Sequence, residues 1–214
     1  KIKNLTPLVL RRDQAYIGVL IDDLVTKGTD EPYRILTSRA EYRLLLRQDN
    51  ADKRLTPIGY EYGSVSQERY DRFLRKQERI SAELKRLKHK KVEMSVLRGF
   101  LDSIGAPESK ENQTFYDLLK RPEVRYDYLE SIDSDRPELT RNEITEIEVE
   151  IKYSGYISKQ QSSVKKMRQL ENKSIPADIN YDDIRGLRLE AVEKLKSIEP
   201  DTVGRASRIS GVNP

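Results

Sequence analysis

Apolar residues recur along residues 66–92 in a helical pattern. Tyr70, Phe73, Gln77, Ile80, Leu84 and Leu87 follow one another at alternating steps of three and four. That is the spacing of a two-stranded seam with one polar interruption, and it predicts a helix from about Ser66 to Val92. The opposite face carries Arg69, Arg72, Arg75, Lys76 and Arg79. A second pattern predicts a long helix from about Thr140 to Asn172. Its first stripe is Ile144, Ile147 and Ile151, its second Ile157, Val164 and Met167, and Thr140 with Glu143 forms a capping box at its start. Tyr153-Ser154-Gly155-Tyr156 lies between the stripes. Glycine in a helix costs about 1 kcal/mol against alanine, so Gly155 points to close backbone approach or to a bend.

The remaining elements are shorter. Residues 15–24 are apolar and end in Asp22-Asp23, and a turn is expected from Gly28 to Pro32. Leu44, Leu45 and Leu46 form a continuous apolar run, expected as a buried strand or buried helix segment. Asp49-Asn50 is an N-cap signal for a helix reaching about Tyr62, ended by Gly63 and Ser64. Residues 93–112 are expected as short pieces and a loop. Short helices are expected at 114–120 and 125–131, broken by Pro122 and Pro137, and at Tyr181–Arg185, Leu189–Ile198 and Val203–Ile209.

Composition supports helices with thin apolar stripes rather than a thick-cored enzyme. Of the 214 residues, 36% are hydrophobic and 36% charged, and the mean hydropathy is −0.77. The length suits one large domain, or a small one with part of another. No apolar run approaches 18 residues, so a membrane reading fails. Cysteine is absent, which excludes disulfides and thiolate metal sites and is consistent with a cytoplasmic protein. The single histidine, His89, is expected on an exposed helix face, and no metal site is expected. The chain opens at Lys1 without a methionine and is expected to be a piece of a longer protein.

The net charge of +4 conceals blocks. Ser66 to Lys91 holds ten basic and four acidic residues, Asp127 to Glu150 nine acidic and two basic, and Ile157 to Lys173 has a net charge of +4. Such runs are either solvated helix faces or an RNA surface separated from a protein-contact surface.

Candidate chemistry is concentrated at residues 31–55. Arg34, Arg39, Arg43 and Arg47 lie beside the Leu44–Leu46 run. A buried guanidinium needs an anion, and Glu41, Asp49 and Asp52 are candidates. Arginines left over suit phosphate, whose oxygens the guanidinium fork matches in pairs. Asp22-Asp23 is expected to cap or to form salt bridges. The Ile209-Ser210-Gly211-Val212 turn, with Arg205 and Arg208 beside it, is either an ordinary turn or a phosphate-binding helix-hairpin-helix turn. Tyr153, Tyr156, Lys159 and Gln160 form either a packing contact or a base-stacking and phosphate site. No GxGxxG or other glycine-rich loop is present, so the chain has no dinucleotide fingerprint.

Several of these residues carry a resemblance. GVLIDDLVTKGT (Gly18 to Thr29), the run EPYR-x-x-TSRAEYRL-x-LR-x-DNAD-x-RL over 31–55, IKYSGYISKQ (Ile151 to Gln160) and VGRASRISGVNP (Val203 to Pro214) resemble the bacterial tRNA-modifying flavoproteins once called glucose-inhibited division protein A. The match spans nearly the whole chain and is weakest at about 92–137. It implies the C-terminal part of an enzyme that helps place a carboxymethylaminomethyl group on C5 of the tRNA wobble uridine. The implied enzyme is a cytoplasmic homodimer that works with a GTPase partner, using FAD, NADH, methylene-tetrahydrofolate, and glycine or ammonium.

The expected fold is mainly α. Residues 1–64 would be a short α/β tail of the FAD-binding domain. Residues 65–214 would be an elongated helical domain with long antiparallel helices and a small subdomain at about 178–214. Arg34, Arg39, Arg43 and Arg47 would face the active site and tRNA, while Tyr153, Tyr156, Lys159, Gln160, Arg205, Arg208 and Gly211 would contact tRNA. FAD would be held upstream and not retained by this chain. Two rivals stand beside this reading: a helical protein-interaction module without RNA function, with the acidic block and the 70–87 seam as its working surfaces, and an RNA-binding protein unrelated to modification.

Overall fold

A computed structural model describes residues 5–27 and 32–212. Most of the expected turn at Gly28–Pro32 lies outside these residues. The helices are α1 (Tyr16–Lys27), α2 (Ala51–Glu61), α3 (Gln67–His89), α4 (Met94–Ser103), α5 (Phe115–Leu119), α6 (Arg141–Lys152), α7 (Ser154–Glu171), α8 (Leu189–Ile198) and α9 (Val203–Ala206). Short 3-10 turns occupy Thr37–Arg39, Tyr126–Ser131 and Tyr181–Asp183. The described residues contain isolated bridges but no strand, so the tail shows only the helical half of its expected α/β character.

The chain forms two compact units that are not colinear with a division at residue 64. One is Arg47–Ile157 with the chain up to Thr6; the other joins Pro7–Leu46 to Ser158–Pro214. In the first unit α3 begins at Ser66, whose hydroxyl accepts the Arg69 N–H. Its stripe residues Ile80 and Leu87 enter a core with Leu97, Leu101, Phe115, Leu118 and Ile147. Lys76 meets Glu146 at 2.9 Å and Arg79 meets Glu143 at 3.1 Å. As one number rises the other falls, so α3 and α6 run antiparallel. The segment expected as a helix at 125–131 is a 3-10 turn, with Tyr126 and Leu129 buried in the same core.

The expected 140–172 helix is two helices. The capping box at Thr140 and Glu143 forms, but α6 ends at Lys152, with Tyr153 out of helical geometry (φ −104°, ψ 11°) before α7 begins. A Cβ on Gly155 would touch nothing within 4 Å. The glycine therefore marks a bend and not a close approach.

In the second unit Val19, Ala40 and Leu46 form one small core. Tyr181, Val192, Leu195 and Ile209 form another, closed by Ile175 and Leu187. The Leu44–Leu46 run is neither strand nor helix. It is a turn in which Leu45 and Leu46 N–H groups donate to the Tyr42 carbonyl at 2.9 and 3.0 Å, and only Leu46 is buried.

Candidate nucleic-acid interface

The charge buried in the second unit belongs to Arg12, which stands outside the arginine motif. Its guanidinium donates to Asp23 at 2.7 Å, to Asp22 at 3.0 Å and to Glu41 at 2.6 Å, and also reaches the carbonyls of Val19 and Arg39. Burial opposes the Arg12 charge, but the hydrogen bonds and charges of Glu41 and Asp23 outweigh it and hold the proton more tightly than usual. The second Asp23 oxygen accepts the Tyr33 hydroxyl at 2.6 Å. Burial, and then Asp23, push the Tyr33 pKa up. Asp22-Asp23 thus forms salt bridges rather than capping a helix. The sequence does carry a signal for Arg12: a carboxylate pair within an apolar helix requires a cation from elsewhere in the chain.

This network fixes the turn that displays the motif arginines. Ala40 is buried and Glu41 is tied to Arg12, while Arg34, Arg39 and Arg43 are exposed. Arg39 lies over the Tyr33 ring at 5.8 Å. Arg34 and Arg43 form no ion pair among the described residues. The expectation that these arginines sit beside a buried apolar run is corrected: their heads face solvent. Arg47 belongs to the other unit, where its guanidinium is committed to Asp49 at 3.0 Å.

The remaining expected contacts separate into exposed and committed groups. Tyr153 (45% exposed) and Tyr156 (66%) lie open at the end of the first unit. Lys159 is exposed in the second, as are Lys165, Lys166 and Lys173. Gln160 turns inward, its amide 3.5 Å from the Glu41 carbonyl. Arg205 is exposed and pairs with Asp201 at 3.1 Å, a surface pair that gives way easily.

Arg208 is not the surface cation expected. Its side chain is 10% exposed and binds Glu171 at 2.7 Å and Asp22 at 3.3 Å. Gly211 does adopt the left-handed backbone (φ +89°), but a Cβ there would lie 2.7 Å from a Glu190 oxygen and 2.8 Å from the Lys194 ammonium. The groups facing this glycine are a carboxylate and an ammonium already paired with each other at 2.7 Å.

In the first unit the acidic block neutralises part of the basic one. Besides the Lys76 and Arg79 pairs, Arg86 binds Asp133 at 2.7 Å, and Lys90 binds Asp133 at 2.7 Å and Asp135 at 2.6 Å. Asp133, Glu143 and Glu146 of the acidic block are thus buried in ion pairs, while Asp127, Glu130, Asp135 and Glu138 stay exposed. Arg69, Arg75, Lys85 and Lys91 remain exposed.

The described residues include no glycine-rich loop and no strand–turn–helix that would cradle a dinucleotide pyrophosphate, so they do not fit FAD as its principal site. Among them, no acidic or histidine group is arranged to hold a metal ion, and no helix is long and apolar enough to cross a membrane.

Two family models match the chain. The tRNA modifying enzyme MnmG/GidA C-terminal helical domain matches residues 67–161, and the C-terminal helical bundle of the same enzymes matches 163–214. The chain belongs to the MnmG/GidA family. Among its relatives are the tRNA uridine 5-carboxymethylaminomethyl modification enzymes MnmG of Clostridium kluyveri, 52% identical, and of Listeria monocytogenes, 54% identical. Each alignment covers all of this chain and 34% of the relative. A crystal structure of Aquifex aeolicus GidA superposes with a TM-score of 0.74 at 38% identity, over 97% of this chain and 32% of that one. The chain thus spans about a third of the length of the MnmG and GidA proteins it matches, and within them it corresponds to the C-terminal helical part.

Proposed function

We propose that this chain is the tRNA-gripping part of an MnmG-type enzyme that adds a carboxymethylaminomethyl group to C5 of the wobble uridine. The observation that carries the reading is the turn bearing Arg34, Arg39 and Arg43. Its base is fixed by the buried Arg12, which is tied to the buried Asp23 and to the exposed Glu41, while its arginine heads stay in solvent. Rigid support with uncommitted guanidinium forks suits phosphate recognition. Tyr153, Tyr156, Lys159 and Arg205 supply further stacking and charge. Arg208 and Gln160 hold segments of the second unit together, Gly211 turns the chain after α9, and Arg47 fixes the chain where it enters α2.

In this reading residues 1–64 derive from the FAD-binding domain, 65–214 form the helical domain, and 178–214 a subdomain within it. FAD is held in the part of the enzyme corresponding to the remaining length of the relatives, with NADH and methylene-tetrahydrofolate as co-substrates. A GTPase is the partner, the intact enzyme is a homodimer, and the setting is the cytoplasm.

Salt dependence tests it. The 214-residue chain should bind tRNA, with log affinity falling linearly against log salt. Arg39→Ala with Arg43→Ala should flatten the slope by about 0.7–0.9 for each phosphate that is no longer neutralised. A parent chain without tRNA affinity at low salt, or an unchanged slope in the double variant, refutes the proposal.

A further inference from the structure

A groove of about 250 Å³ runs between α2 and α3 in the first unit. Arg69, Arg72, Phe73 and Lys76 form one wall, at helical steps of three, one and three along a single face of α3. Asp52 and Thr56 of α2 form the other, with Val65 at the end. The lining holds one carboxylate, Asp52, and it is already satisfied: Oδ2 accepts from Lys76 at 2.8 Å and Oδ1 from the Lys53 N–H at 2.7 Å. The two arginines are available. Arg69 is exposed, and Arg72 meets Glu68 alone among the described residues, at 3.0 Å with both side chains more than two-thirds exposed. Such a pair is worth about 0–1 kcal/mol and exchanges readily for a better anion.

The apolar part of the groove is held in place. Tyr60 of α2 stacks on Tyr70 of α3 with ring centroids 4.1 Å apart and planes 2° from parallel. Tyr70 in turn stacks on Phe73 at 6.1 Å. This ladder of rings fixes the spacing of the two helices and leaves Phe73 half-buried in the wall.

We infer that this groove is a separate subsite for one phosphodiester of single-stranded RNA, with Arg69 and Arg72 on the phosphate and Phe73 against the adjoining sugar or base. The inference rests on the RNA-binding reading of the chain and adds a contact that neither the motif arginines nor α7 supplies. Pockets for drug-sized ligands run about 300–1,000 Å³, so this smaller groove suits a segment of a longer chain. Paired guanidinium groups beside an aromatic ring match a nucleotide, in which phosphate and π-face are joined.

Two measurements decide it. In the first, tRNA binding is compared for the parent, Arg69→Ala/Arg72→Ala, Phe73→Leu, and a charge-matched control, Arg98→Ala/Lys110→Ala, on exposed residues outside the groove. Circular dichroism confirms equal helix content. The arginine pair should weaken binding about five- to eightfold at 0.1 M salt and flatten the salt slope by about 0.7–0.9, as expected when one phosphate goes unbound. Phe73→Leu should weaken binding without changing the slope, and the control should bind as the parent does. Equal losses in the control, or none in the groove variants, overturn the inference.

In the second, the 214-residue chain is titrated with a uridine trinucleotide and followed by amide chemical shifts. Shifts should centre on Thr56 and on Arg69 to Lys76, and an oligoglutamate should not reproduce them. Shifts that an oligoglutamate matches, or no shifts there, also overturn it. If the trinucleotide shifts these residues but tRNA does not bind, the proposed function fails while the groove stands. If tRNA binds and the groove is silent, the reverse holds.

Discussion

Arg12 and Arg43 carry the same guanidinium in opposite surroundings. Arg12 is 7% exposed and forms a buried ion pair with Asp23; Arg43 is exposed and bonded to nothing among the described residues. Breaking a buried ion pair by removing one partner leaves the other charge stranded, at a cost of about 3–5 kcal/mol. Arg12→Ala should therefore lower the melting temperature sharply, while Arg43→Ala should leave it unchanged and weaken tRNA binding. Equal melting temperatures for the two variants would show that the Arg12 network does not support the turn. The sequence places cations and anions in this region but does not show their depth. Residues ten to thirty apart in the chain decide which arginine Asp23 and Glu41 enclose, and no local spacing encodes that. Arg208 escapes a reading by spacing for the same reason: Glu171 and Asp22, far off in sequence, enclose it. Arg208→Glu should destabilise the second unit by placing a third carboxylate beside those two, whereas Arg205→Glu, opposite a single exposed Asp201, should unfold nothing. Thermal melts of the pair separate the two cases.

At the scale of elements, periodicity locates α3, α8 and the start of α6 to within a few residues, because each has a cap or a stripe of its own. The break between α6 and α7 is also present in the pattern. Ile144, Ile147 and Ile151 share one face, but Ile157, Val164 and Met167 lie about 145° away from that face at 100° per residue. One straight helix cannot bury both stripes on one side, and the offset is absorbed at Tyr153. Glycines resist such reading because spacing does not show what they touch. Gly155 has open space around it, so Gly155→Ala should raise stability by about 0.5–1 kcal/mol through helix propensity alone. At Gly204 a Cβ would lie 2.8 Å from the Glu171 backbone nitrogen and 2.9 Å from its Cα. Gly204→Ala should cost about 1–3 kcal/mol as the end of α7 is pushed away. Denaturant titrations check both signs, and a gain at Gly204 would mean that α9 does not pack as described.

At the scale of the whole molecule, the blocks of opposite charge are legible in the sequence but their use is not. Antiparallel packing of α3 on α6 turns part of that charge inward, and only the fold sets the packing direction. The consequence is a stability window with two edges. Burial alone would raise the Asp133 pKa, but hydrogen bonds from Arg86 and Lys90 overcome it and hold the group below its ordinary 3.8. A carboxylate with a depressed folded value stabilises above its unfolded value and loses that contribution as pH falls through the folded one. Tyr126 gives the opposite edge. Burial, and then its 2.8 Å hydrogen bond to Glu83, push it above its ordinary 10.0. The folded state therefore keeps a proton that the unfolded chain releases, and stability falls as pH rises beyond about 10. Unfolding free energies from denaturant titration should be level through neutral pH, fall below about pH 4 and fall again above about pH 10. Asp133→Asn should lower the plateau and flatten the acid limb while leaving the alkaline limb in place, and Tyr126→Phe should flatten only the alkaline limb. An acid limb of the same slope in Asp133→Asn would show that the Arg86–Asp133–Lys90 strut is not what holds α3 to the segment before α6.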